Sequence, residues 1–322
     1  MYKNSESSLS IYGNDVEPRE FTEIIGILPT KAWKKGEAYY CKYNRRTLSR
    51  PNGLWQYSPA AQVSTFGPED MARELLQVFG GKKNAFVKIH QAWNVEVSAW
   101  IAWTLTFGTY YLDRDLIRRM LELGIDTMAH CFIGLSGGAK ISPRNRYDRR
   151  VGIDYELERQ NGEHASSFLC ISGNDIDPEE CTSSMGLTPS CTWKYGDEYY
   201  LRKGGKKLLR DSSLWKYEVS LDEFPYEPEK QVESLVRILW GKRHVFSQIR
   251  KGRDSKIMLG IKWVAPHGTY KLNRALLRRI LDIGIDTIAY SYVCCEVNED
   301  AMREVEENKE DCILVRFGRL LV

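Results

Sequence analysis

The residues whose types could do chemistry in this chain are its histidines, a set of recurring acids, and clusters of aromatic and basic side chains. Five histidines, His90, His130, His164, His244 and His267, are the groups able to exchange protons or bind metal near neutral pH. Four acids occur in pairs, Asp15/Asp175, Glu20/Glu180, Glu69/Glu229 and Asp126/Asp286. Trp33-Lys34, Tyr40, Arg50 and Trp55 return as Trp193-Lys194, Tyr200, Arg210 and Trp215. Flat rings beside fixed positive charge can stack a base and hold a phosphate, and the same combination anchors protein interfaces.

These pairings arise because residues 8–160 read again, without a gap, as residues 168–320. The repeat is an internal control, since a group present in one copy alone cannot serve a mechanism that both copies run. No histidine is duplicated: Arg250, Tyr290, Asn84 and Phe107 stand opposite His90, His130, His244 and His267, and the position opposite His164 falls past the end. Three of the acid pairs sit where helix starts favour negative charge. Asp126 and Asp286 differ, each following Gly-Ile at the entrance to a strand; structural pairing with Arg118-Arg119 or Arg278-Arg279 is favoured over a ligand site. The Trp/Lys/Arg cluster also has a plain reading, because Trp and Tyr on alternating strands build cores. None of the eight cysteines has a repeat partner, and no Cys-x-x-Cys occurs, so free thiols in a reducing compartment are expected. No phosphate loop, nucleophile elbow or zinc-helix motif is present, and neither cofactor nor metal is expected.

The elements that must position these residues follow from punctuation and periodicity. Each copy opens with a strand, Leu9 to Ile11 or Leu169 to Ile171, then Gly-Asn-Asp-x-x-Pro and a helix stopping at Gly26 or Gly186. A Trp-Lys-x-Gly-acid turn leads into Tyr39-Tyr40 or Tyr199-Tyr200, and Leu-Trp-x-Tyr at 54–57 and 214–217 alternates as a half-buried strand does. Helices start at Pro68 and Pro228. Long strands follow near 97–106 and 257–264, and Gly108-Thr-Tyr110 and Gly268-Thr-Tyr270 read as turns into the last helix. Ile153-x-Tyr155-x-Leu157 and Ile313-x-Val315-x-Phe317 predict a closing strand in each copy, with a short linker near residues 161–164. The fold class expected is α+β, a tandem duplication in which each domain is a mainly antiparallel sheet packed with two to three helices. Domain one spans residues 1–161 and domain two 162–322, each long enough for its own core.

These marks together resemble the bacterial domain-of-unknown-function 4279 family. They are Gly-Asn-Asp-x-x-Pro with Thr22 and Thr182, Gly26-Ile-x-Pro29 and Gly186-Leu-x-Pro189, Lys-x-Gly-acid, Leu-Trp-x-Tyr, and the closing Leu-x-[Leu/Ile]-Gly-Ile-Asp. The departure is Thr127 and Thr287, where the family leads one to expect an aromatic. The resemblance implies a small bacterial cytoplasmic module and carries over no catalytic residue.

Charge separates the copies. Residues 136–150 hold Lys140, Arg144, Arg146, Arg149 and Arg150 against Asp148 alone, whereas 296–311 hold eight acids, Glu304, Glu306 and Glu307 among them, against two bases. Opposite charge at equivalent places suits a charged partner or self-association. The overall net charge of +3 points to neither nucleic acid nor membrane, and no apolar run has the length of a membrane span. The polar first ten residues predict a cytoplasmic chain. The expectation is thus a non-enzymatic interaction protein of the immunity- or defence-associated kind, binding a macromolecular partner, first of all another protein. A nucleotide or nucleic-acid module using the Trp/Lys/Arg cluster is the alternative, and an enzyme with an unrecognised carboxylate site the third.

Overall fold

A computed structural model describes residues 4–41, 45–59, 67–105, 107–134, 147–148, 150, 153–155, 158, 163–200, 207–251, 254–265 and 267–294. The first half runs β1 (Asn4–Gly13), α1 (Pro18–Ile25), β2 (Lys31–Trp33), β3 (Ala38–Cys41), β4 (Arg46–Ser49), β5 (Gly53–Tyr57), α2 (Pro68–Val78) and α3 (Lys83–Ala92). It continues with β6 (Val95–Leu105), β7 (Phe107–Asp113), α4 (Arg114–Glu122), β8 (Thr127–Gly134) and a small hairpin, β9 (Tyr147–Asp148) with β10 (Ile153–Asp154). The second half repeats the order as β11 (His164–Gly173), α5 (Pro178–Met185), β12 (Cys191–Trp193), β13 (Glu198–Tyr200), β14 (Lys207–Leu209), β15 (Ser213–Val219), α6 (Pro228–Trp240) and α7 (Arg243–Arg250). It closes with β16 (Lys256–Val264), β17 (His267–Asn273), α8 (Arg274–Ile283) and β18 (Thr287–Val293). The helices expected are present, α1 stopping at Gly26 with φ +71°. A fourth helix in each half, α3 or α7, goes beyond the two to three expected.

Two six-stranded sheets result, each antiparallel throughout except for one parallel pair, β6 with β8 and β16 with β18. The first sheet runs β17-β8-β6-β1-β5-β2 and the second β7-β18-β16-β11-β15-β12. One edge strand of each, β17 or β7, therefore comes from the other half. Tyr110 of β7 lies opposite Tyr290 of β18, and Tyr270 of β17 opposite His130 of β8. Gly108-Thr-Tyr110 and Gly268-Thr-Tyr270 are therefore strand, not turn. At Gly268 a Cβ would strike the Trp263 indole, so glycine is what lets strand and ring approach. With one residue between β6 and β7, the chain passes to the neighbouring sheet instead of folding back.

The boundary at 161/162 thus divides the sequence, whereas the packing runs across it. One continuous core joins the inner faces of both sheets with the helices, among them Leu9, Trp55, Leu112, Ile171, Trp215 and Leu272, all fully buried. At its centre Tyr110, His130, Tyr270 and Tyr290 stack, with centroids 4.7 Å apart for Tyr110–Tyr290 and 3.9 Å for His130–Tyr290. Helix α4 meets α8 there.

The closing strand expected at Ile153 is not a strand of either large sheet: among the described residues, Ile153–Asp154 pairs only with Tyr147–Asp148. Its alternation has another cause. Ile153 and Tyr155 bury themselves on the outer face of the second sheet, against Phe168, Cys170, Met258 and Ala289. The matching stretch at 313–317 lies outside the described residues, and His164 belongs to β11 and not to a linker.

Candidate functional site

The aromatic–basic cluster is built on the turn after β2 and β12. Gly36 and Gly196 take φ of +83° and +82°, a left-handed geometry that excludes most side chains. Glu37 and Asp197 accept the backbone N–H of Lys34 and Lys194 at 3.1 and 2.7 Å. The chain then rises into a two-stranded flap, β3–β4 or β13–β14, outside the main sheets. Arg50 lies 4.0 Å over Trp33 and 3.8 Å over Tyr39; Arg210 lies 4.0 Å over both Trp193 and Tyr199. Each guanidinium thus fills the slot between two rings and pins the flap to the sheet edge.

The other members lie apart. Trp55 and Trp215 are fully buried, donating to Thr22 and Thr182 at 3.1 and 3.0 Å, and offer no face to a ligand. Lys34 pairs with Glu17, and Lys194 with Asp177 and Glu179 at 3.4 and 3.2 Å. Tyr40 is 60% exposed, and Tyr200 occupies the equivalent place on β13. Tyr195 and Leu209, exposed at 62% and 60%, give the second flap region an apolar surface of its own.

Two of the four acid pairs, Asp126/Asp286 and Glu69/Glu229, are absorbed by architecture. Asp126 accepts from the backbone of Val97 at 3.0 Å and lies 3.5 Å from His90 and 3.8 Å from Arg274 of the other half. Asp286 accepts from Ile257 at 2.9 Å and from Arg250 at 2.6 Å. The partners are therefore not Arg118-Arg119 or Arg278-Arg279. Arg118 lies 3.9 Å from Asp115, and Arg279 lies 5.4 Å over Trp240. A side chain on α4 or α8 points back over its own preceding turn, whereas position 90 or 250 on α3 or α7 faces the strand entrance. His90 and Arg250, unlike as residues, do one job: each also bonds the carbonyl of Gly124 or Gly284. Their shared repeat position was the signal that could have revealed them. Glu69 and Glu229 cap the exposed edges of β7 and β17, accepting from Tyr111 and Lys271 at 2.7 Å each. Burial pushes both carboxyls up, partly offset by those bonds.

The same order of elements, built twice on the same turn and lock geometry, is matched by one family model, the domain of unknown function DUF4279, over residues 2–129 and 163–292. The chain belongs to the DUF4279 family. It carries two tandem copies, and a comparison with curated proteins finds no match.

Outside the DUF4279 matches, the tail of the first copy adds chemistry that the sequence did not signal. Glu158 bonds Lys262 at 2.8 Å and His164 at 3.0 Å; Lys262 and Lys216 meet Glu218 at 2.7 and 3.0 Å. Both lysines are almost fully buried, a burial tolerable only because each is paired. Burial alone would raise Glu218, but Lys262 and Lys216 hold it down at about 2. Opposite Lys216, Glu218 and Lys262 the first copy has Gln56, Ser58 and Ala102, so the ladder exists once. His130 is also singular: burial pushes it down to about 3, and Tyr110 bonds its Nδ1.

Of the charged residues in these loops, only Arg150 and Asp148 lie among the described residues. They pair at 3.3 Å, with Arg150 stacked 4.0 Å over Tyr111. Arg144, Arg146, Arg149, Glu304, Glu306 and Glu307 lie outside them. Among the described residues no helix is long and apolar enough to cross a membrane, and no group of His, Cys, Asp and Glu has the arrangement of a metal site. Burial pushes the thiols of Cys131 and Cys170 up to about 12.

Proposed function

We propose that this chain is a non-enzymatic interaction protein of the bacterial cytoplasm, immunity- or defence-associated, whose two flaps and charged loops engage another protein. One observation supports it most. The shared polar groups Asp126/Asp286, Glu69/Glu229 and Arg50/Arg210 are occupied in locks, caps and sandwiches, whereas, among the described residues, three of the six exposed large hydrophobics, Tyr40, Tyr195 and Leu209, lie on or at the base of the flaps. Exposed aromatic and apolar side chains beside rigid arginines are what protein interfaces use as anchors. A base stacked between Trp33 and Tyr39 is disfavoured, because Arg50 already occupies that slot. The oppositely charged loops, through Arg144, Arg146, Arg149 and Arg150 and through Glu304, Glu306 and Glu307, would steer a charged partner or a second copy.

The test compares the tagged parent with a Tyr40→Ser, Tyr195→Ser, Leu209→Ser variant purified from its host at low salt. The reading expects a stoichiometric protein partner with the parent, released by salt, and its loss with the variant at unchanged melting temperature. Equal recovery with both proteins, or a co-purifying nucleotide in place of a protein, would overturn it.

A further inference from the structure

A cavity of about 410 Å³ opens at one end of the outer face of the second sheet, where β15, β11, β16, β18 and β7 begin or end. Its volume falls within the range of small-molecule sites. Leu214 and Met258, both buried, supply an apolar floor, and Asn174, Ser212 and Thr287 place amide and hydroxyl groups around it. Two cations reach it. Arg150 is held in place by the Tyr111 ring and by Asp148. Lys256 is exposed, and no ion pair to it is found among the described residues.

The cavity is composite. Tyr111 arrives only because β7 crosses to the second sheet, and Arg150 comes from the first copy's tail, beyond the family match. The retained Gly-Asn motif stands at its edge: a Cβ on Gly173 would collide with the Asp254 carbonyl, so glycine lets β11 and the entrance of β16 close together. At the equivalent place in the first copy, Glu96 replaces Lys256 and Asn94 replaces Asp254, while Lys271 replaces Tyr111. The motif is shared, and the charge at the key position is reversed.

We propose that this cavity binds a small molecule with a single anionic group, a carboxylate or a phosphate monoester, carried on an apolar body, on the second sheet and not at the equivalent place on the first. Arg150 and Lys256 take the anion, and Leu214 and Met258 take the body. Asp254 on the rim and Asp148 behind Arg150 limit the site to one anionic group, since a polyphosphate would meet uncompensated repulsion. This inference is independent of the flap surface.

The test titrates the full chain with phenylacetate and with phenyl phosphate by calorimetry at low salt; the two share one apolar body and differ in head group. The expected result is saturable binding of at least one probe, one site per chain, weakened at least tenfold by Lys256→Glu and abolished by Ser212→Trp, which fills the mouth without changing charge. Which probe binds more tightly assigns the head group. Both positions lie at the cavity's rim, so unchanged melting temperatures are expected. Absence of saturable binding for both probes, two equal sites per chain, or binding indifferent to Lys256→Glu would each overturn the proposal.

Discussion

His130 shows how burial turns an ordinary titrating residue into a determinant of stability. Folded, it takes a proton only near pH 3, whereas unfolded it takes one near its usual value of about 6.5. Between those values the unfolded chain binds more protons, so stability must fall as pH drops through this window. Glu218 adds a second loss at lower pH. Its carboxyl is held at about 2, so the stability it contributes above the unfolded value of about 4.3 disappears as pH falls below it. Urea unfolding across pH should therefore show His130→Phe flattening the slope between about 6.5 and 4.5, by up to about 1.4 kcal/mol per pH unit, and Glu218→Gln flattening it only below about 4.5. Glu69 and Glu229 act in the opposite sense, since burial raises both. An unchanged slope in His130→Phe would mean that this ring takes its proton as readily folded as unfolded. Neither role was readable from the chain, because a histidine or glutamate found in one copy only carries no repeat signal. Its environment comes from residues far away in sequence.

At the scale of elements, the reciprocal contacts of α4 and α8 tie the halves together. Arg274 Nη2 donates to the Leu121 carbonyl and Arg114 Nη2 to the Leu281 carbonyl, each at 3.1 Å, at the C-terminal turn of the other half's helix. The backbone N–H groups do likewise, Arg114 to Asp286 at 2.8 Å and Arg274 to Asp126 at 2.7 Å. A guanidinium there adds a second donor to a carbonyl that already accepts from Gly124 or Gly284, and meets the negative end of the helix dipole. Arg114→Ala and Arg274→Ala should each cost about 1–2 kcal/mol in urea unfolding. Lysine should restore only part of it, since it lacks the planar fork. A loss below a few tenths in both variants would place these arginines in solvent. Helix existence was legible here: Pro18, Pro68 and Gly26 punctuate where expected, and Leu116, Met120 and their neighbours bury as the periodicity requires. The direction each helix faces across the molecule was not, because amphipathicity specifies a buried face and not what lies against it.

The whole molecule is a duplicated unit closed by exchange, so its two halves should not separate when the chain between them is cut. A protease site inserted between Gly162 and Glu163, cleaved in the native protein, should leave both halves co-eluting at the intact size and melting in one transition. Native separation of the halves would show that each closes on itself. Pairing Tyr110 with Tyr290 and Tyr270 with His130 also makes the contacts strongly non-local, which predicts slow folding relative to helical proteins of this size. The residue pattern by itself determined the duplication, the α+β class, the family, most helix ends, and the Trp-Lys-x-Gly-acid turn, because these depend on local conformational preference and on comparison of one half with the other. Tertiary structure alone decided that β7 and β17 change sheets, that Trp55 and Trp215 are core while Arg50 and Arg210 fill aromatic slots, and that Asp126 and Asp286 meet His90, Arg274 and Arg250. Strand alternation specifies which residues face inward but not which strand lies alongside, and ion pairs form between whichever charges the folded chain brings together.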